Sequence, residues 1–178
     1  AYFQSLDVLR GGTGESKALR DKAMTAAGYA QIAAGDYQGA VEEFTRVRLD
    51  SPLSDRALLG YGWASMEMED YLAALSPWQV LGERSLLSES ARESLLAVPY
   101  AYEKLGRQPA ALAGYQLAAT RYEEELQRIQ TATEVFQNAE LPPLLGLADE
   151  EEGQQWMFGG AILPVGDHAP YLKHLLTR

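Results

Sequence analysis

Apolar and small positions in this chain repeat as a block. A run holding Met24, Gly28, Tyr29 and Ala30 leads to a polar turn at Gly35 and Asp36. An apolar set at Tyr37, Ala40, Val41 and Phe44 follows. The same order returns with Leu58, Gly62, Trp63 and Ala64, a turn at Glu69 and Asp70, then Tyr71, Ala74, Leu75 and Trp78. Every matched pair is separated by 34 residues. A third copy runs from Leu95 to Tyr102, then Gly106, Ala111 and Tyr115, at an offset of 37 from the second. Three extra residues are therefore expected between about Gly82 and Ser90. Self-similarity at this period predicts stacked two-helix units, none of which buries its apolar face alone.

Each recurring position has a physical reason. A small residue in the first helix (Gly28, Gly62) and Ala in the second (Ala40, Ala74, Ala111) let two backbones approach closely. An aromatic four residues after the Ala (Phe44, Trp78, Tyr115) fills the gap, and Pro52 ends the first unit. Two departures stand out. Pro77 lies inside a second helix, and Pro99 replaces the small residue of the third copy. An interior proline removes a backbone hydrogen bond and kinks a helix, so a bent second half is expected.

Over residues 21–125 this pattern resembles the tetratricopeptide repeat family. The resemblance implies an all-α fold, a right-handed superhelix of antiparallel helix pairs. It also implies that one face of each first helix lines a concave groove where a peptide or partner protein binds. Tyr29, Trp63 and Tyr100 share one repeat position on that face. By the resemblance the same surface takes in Thr25, Ile32 and Ala33 of the first repeat, Arg56, Leu59, Met66 and Glu67 of the second, and Leu96 and Glu103 of the third. Aromatic and Met side chains there would bury an apolar or extended peptide, and Arg56 could bind a carboxylate. The competing expectation is that the tail at 141–168 covers these aromatics. The segment 50–58 also resembles the inter-repeat joint of bacterial envelope-assembly proteins of this family, which points towards a periplasmic or envelope-associated location.

Outside the repeat, Tyr2, Phe3, Leu6 and Leu9 have helical spacing and stop at Gly11, Gly12, Thr13 and Gly14. They read as the last helix of a preceding repeat. The chain starts at Ala1 without Met and reads as a fragment of a longer protein. Residues 2–5 resemble the end of a protease-cleavable tag, but Ala1 stands where such a tag has Leu, so they are taken as native. From Pro109 no helix breaker occurs before Pro142 and Pro143. A helix of that length spans about 45 Å. Leu112, Tyr115, Ala119, Tyr122, Leu126, Ile129, Thr133 and Phe136 run along it in steps of three and four, as a coiled-coil seam does. Its second half, from Tyr122 through Leu126 and Ile129 to Phe136, needs a cover. A second copy of the chain would supply one by homodimerisation. The apolar stretch at 156–163 would supply another by folding back. Near the end, Pro170 opens a further helix.

Composition narrows the function. An apolar fraction of 47% supports a packed fold rather than general disorder. A net charge of −10, from 15 basic and 25 acidic residues, argues against nucleic acid and anionic membranes, which need Lys and Arg. The absence of cysteine removes disulfides, thiolate metal sites and cysteine nucleophiles. No apolar stretch approaches the roughly 18 residues of a membrane span. The run from Gly11 to Lys17 superficially resembles a phosphate loop but lacks the Gly-Lys-Ser/Thr ending and a preceding strand. His168 and His174 are six apart, unlike zinc ligands on one helix face, and the acids at 149–152 read as a solvated loop.

The chain thus divides into a remnant helix and connector (1–14), repeats at 15–54, 55–91 and 92–140, the last with an extended second helix, and a Pro-rich acidic tail (141–178). The expected function is a non-catalytic scaffold or adaptor of a bacterium, with another protein or peptide as partner and no cofactor or metal. The alternatives are an oligomerisation module working through the long helix and tail, or a regulatory part of a larger catalytic chain.

Overall fold

A computed structural model of the chain describes residues 14–138, 170, 171 and 174. The six helices named for the described residues are α1 (Gly14–Ala34), α2 (Tyr37–Thr45), α3 (Ser54–Glu67), α4 (Tyr71–Gly82), α5 (Glu89–Lys104) and α6 (Gln108–Asn138). The chain forms two compact units, Ala1–Ala118 and Ala119–Arg178, with their boundary inside α6. The expected remnant helix at 1–10 and the folded-back tail at 141–168 lie outside the described residues.

Short connectors make the helix pairs. Residues 35–36 join α1 to α2, 68–70 join α3 to α4, and 105–107 join α5 to α6. Such links leave room only for a reversal of direction, so each pair is antiparallel. The reversal is built the same way three times. Gly35, Glu69 and Gly106 sit in the left-handed region at φ 79°, 60° and 70°. The following amides then reach back to Gln31, Ser65 and Tyr102 carbonyls, each at 2.9 Å, which satisfies the helix end. In the first two pairs the next helix is capped by an aspartate. Asp36 accepts from the Gly39 amide and Asp70 from the Ala73 amide, both at 3.0 Å. Arg107 stands at this place in the third, and Pro109 occupies the first turn of α6.

Consecutive helices pack on one another from α1 through α5, and the first helices also touch across the repeats, α1 on α3 and α3 on α5. The small-and-aromatic pattern explains the closeness. A Cβ on Gly28 would come within 2.6 Å of the Phe44 ring, and one on Gly60 within 2.5 Å of the same ring. Phe44 is therefore clasped between α1 and α3. One repeat later, Gly62 makes room for Trp78, which is 0% exposed and shares a core with Leu59, Leu75, Leu81 and Ala97. The Trp78 indole donates to the Leu59 carbonyl at 3.3 Å. No membrane-spanning candidate occurs among the described helices.

The third repeat departs from the expected packing. Pro99 fills the place of Gly28 and Gly62, and the space is recovered on the opposite helix at Gly114, where a Cβ would come within 2.9 Å of the Pro99 side chain. Large and small have changed sides. Tyr115, expected to fill the gap as Phe44 and Trp78 do, is instead 37% exposed and donates to Glu103 at 3.2 Å. The prolines themselves are accommodated: α4 runs through Pro77 and α5 through Pro99, both buried. The three extra residues of the third offset do not make a longer loop. The second helix grows from 9 residues in α2 to 12 in α4, and the first from 14 in α3 to 16 in α5. The connector between repeats shortens to offset the difference.

A recurring ion pair ties the first helix of repeats one and two to the connector after its own second helix. Asp21, 1% exposed, accepts from Arg48 at 3.0 and 2.8 Å. Burial alone would raise this carboxyl, but hydrogen bonds from Arg48 and Ser51 outweigh it and hold Asp21 below the usual carboxylate range. Thirty-four residues later Asp55 pairs with Arg84, which also donates to Ser54 at 2.7 Å.

In the second unit the buried line on α6 is Glu125 and Ala132, seven residues apart on one helical face. Tyr171 donates to Glu125 at 3.0 Å.

Candidate functional site

The adjacency of α1, α3 and α5 brings part of the expected groove together. Tyr29, Arg56, Leu59 and Trp63 line one pocket of about 470 Å3, completed by Glu89, Ser90 and Glu93 of α5. Leu59 is buried beneath it, and the two aromatics are half-buried. Each aromatic is locked from behind by its own repeat. Tyr29 meets Phe44 edge-on at 5.1 Å between ring centroids, and Trp63 meets Trp78 the same way at 4.9 Å. Each is also tied forward to the next repeat. The Tyr29 hydroxyl donates to the Arg56 carbonyl at 2.8 Å, and the Trp63 indole to Glu93 at 2.6 Å. These rings are fixed surfaces rather than loose side chains, which lowers the entropy lost when something docks on them.

The charges around the pocket are mixed. The Arg56 guanidinium lies 5.3 Å from the Tyr29 ring centroid, within cation–π range. Glu89 and Glu93 stand one turn apart on the same face of α5, and Glu89 lies in its first turn, where the helix N-terminus favours negative charge. Burial raises the Tyr29 hydroxyl above its ordinary value, with Arg56 opposing and Glu93 adding to the rise. Both charges therefore act on this ring. Among the described residues no group of three or more His, Cys, Asp or Glu could hold a metal ion.

Several expected groove residues lie elsewhere. Thr25 is buried and its hydroxyl donates to the Asp21 carbonyl at 2.8 Å, so it is not a contact surface. Met66 is buried in the core around Trp78, and Ile32 packs against the Ala40 and Phe44 cluster. The reason is crowding: α3 meets α1, α2, α4 and α5, so Arg56, Trp63 and Glu67 mark a narrow outward strip along it. Ala33 and Glu67 are exposed. Leu96 is 50% exposed, and Glu103 is occupied by Tyr115. Tyr100, the third aromatic of the series, does not line the pocket. Its ring lies under the Lys104 ammonium at 5.2 Å, one turn along α5.

On the seam of α6, Tyr122 is half-buried, while Leu126 and Ile129 are 55% and 42% exposed. Phe136 lies within α6, and its side chain lies outside the described residues. The residues missed by sequence reasoning are Glu89, Ser90 and Glu93. A signal for one of them existed: Glu93 stands 37 residues after Arg56, at the same repeat position with the charge reversed. Gly14 to Lys17, the part of the glycine-rich run that is described, forms the opening turn of α1 and makes no loop.

Comparison with protein-family models, with curated proteins and with solved structures finds no match to this chain.

Proposed function

We propose that this chain is a tetratricopeptide-type repeat module that holds a segment of another polypeptide against its first helices, as a non-catalytic scaffold or adaptor. The observation that carries this reading is the pocket between α1, α3 and α5, with its two immobilised aromatic walls. Half-buried aromatic side chains fixed in a concavity are the surfaces on which protein interfaces concentrate their binding energy. A bacterial origin and a role in cell-envelope assembly belong to the same proposal. The first rests on the Ala/Leu/Arg-rich style of the chain and the repeat subtype, the second on the resemblance of the 50–58 joint.

A photo-reactive amino acid placed at Arg56, on the pocket rim, and separately at Glu42, exposed on α2, tests it. The Arg56 position should yield a cross-linked polypeptide from cells of the source organism, and the Glu42 position should not. Equal labelling at both positions, or none at Arg56, would refute the groove.

The exposure of Leu126 and Ile129 on a heptad-spaced face favours a second reading, self-association through α6. Light scattering should then give a mass that rises with concentration, and Leu126→Glu with Ile129→Glu should return it to the monomer. A monomeric mass at every concentration excludes that reading.

A further inference from the structure

The pocket carries more information than its concavity, because its charges discriminate between partners. Two carboxylates, Glu89 and Glu93, and one guanidinium, Arg56, line the pocket, in a chain of net charge −10. An acidic segment entering here would meet both carboxylates at close range and only Arg56 in its favour. A purely apolar segment would strip water from three charged groups without replacing it, which is costly. A segment with a basic side chain avoids both penalties. Its charge meets the carboxylates while its alkyl stem lies on apolar surface.

The existing bonds leave these groups able to serve. Glu93 accepts from Trp63 through Oε1, which fixes the carboxylate against the indole, and both residues line the pocket. Arg56 is held over the Tyr29 ring. The protein's own cation thus has an aromatic partner in Tyr29, and Trp63 offers a second aromatic surface beside Glu93.

We propose that this pocket seats a lysine or arginine side chain borne on an apolar stretch of partner polypeptide, its charge at Glu89 and Glu93 and its stem against Trp63 and Leu59. The inference rests on the groove reading above and adds the chemical class of the occupant. Favourable charge also speeds encounter, so binding should weaken as salt rises.

Fluorescence anisotropy with three labelled nonapeptides separates the two claims. The peptides share a Leu/Ala background and differ only in whether their polar positions are all Lys, all Gln or all Glu. The Lys peptide should bind tightest. Glu89→Gln with Glu93→Gln should weaken it roughly three- to tenfold, as expected for two partly exposed ion pairs. Gln at position 93 keeps an acceptor for the Trp63 indole, so the wall should stay in place. Glu42→Gln with Glu83→Gln, an equal charge change at exposed positions away from the pocket, should shift the affinity less than about twofold. Arg56→Gln should tighten the Lys peptide by about two- to fivefold, a gain that a damaged fold would not produce. The Tyr29 hydroxyl bonds the backbone at 56, so that substitution leaves its partner intact.

Equal or tighter binding of the Gln or Glu peptide overturns the basic-segment proposal and leaves the groove standing. So does an equal loss in the distal double variant, which would make bulk charge the cause. No binding of any of the three peptides below about 1 mM would remove the groove reading and this proposal together.

Discussion

Glu69 is the residue most at odds with its backbone. It holds, at φ 60°, the left-handed turn position that glycine fills at 35 and 106. For a residue with a Cβ that conformation costs roughly 1–2 kcal/mol. Replacing it by glycine gives back part of the gain, about 0.5–1 kcal/mol, through the freer unfolded chain. Glu69→Gly should therefore stabilise the protein by roughly 0.5–1 kcal/mol, the difference between those terms. A urea titration reads this as a higher midpoint, and an unchanged or lower midpoint would contradict the strain. The same scale governs how binding can be probed. Trp63 packs edge-on against the fully buried Trp78, so truncating it to Ala removes core contacts along with any ligand surface. Such a loss costs on the order of 3–5 kcal/mol in well-packed sites. Loss of binding in that variant would not distinguish a contact from a support, which is why charge-changing substitutions at Glu89, Glu93 and Arg56 are the sharper probes.

At the scale of the element, the second helices of the first two repeats start on the same device, an aspartate whose carboxylate takes an amide three residues on. Asp70→Ala should cost about 1 kcal/mol, and Asp70→Asn much less, because Asn caps nearly as well. Thermal melts of the two variants measure the difference; equal melting temperatures would show that the cap does not hold α4. The helix pairs and their turns are legible in the sequence because each depends on residues close in the chain and recurring at 34 or 37. What is not legible depends on chain segments that meet in space without sharing the period. Asp21 and Asp55 keep the repeat spacing, but their partners Arg48 and Arg84 are 36 apart, in connectors of different length, so no alignment exposes the pair. The exchange of large and small between Pro99 and Gly114 is hidden likewise, since it needs both helices at once. At the pocket, Tyr29 and Trp63 share a repeat position, and Arg56 and Leu59 belong to the groove face that the family resemblance implies. The same resemblance places Thr25 and Met66 on that face, yet they are buried, because a place on one helix face does not count how many helices surround it.

For the whole molecule, acid has two opposing effects. As pH falls from neutral, the excess of 25 acidic over 15 basic residues shrinks, and with it the self-repulsion of the chain. Asp21 acts in the other direction. Its folded carboxyl is held below the ordinary value of 3.8, so the folded state binds a proton there less readily than the unfolded one. That contribution is fully present above the unfolded value and is lost as pH falls through the lower, folded one. Wild type should thus hold or gain stability on mild acidification, then lose the Asp21 contribution once pH drops below about 4. Asp21→Asn removes the titrating group and leaves the other carboxylates as they are. The stability gap between wild type and Asp21→Asn should be constant from neutral pH down to about 5 and close progressively below about 4. Paired denaturation curves across this range measure the gap directly, and the titration of every other acid cancels in the difference. A gap that stays constant into strong acid would mean that the Arg48 contact does not lower the Asp21 carboxyl. The tie between α1 and the connector after α2 would then hold by shape and hydrogen bonding rather than by charge.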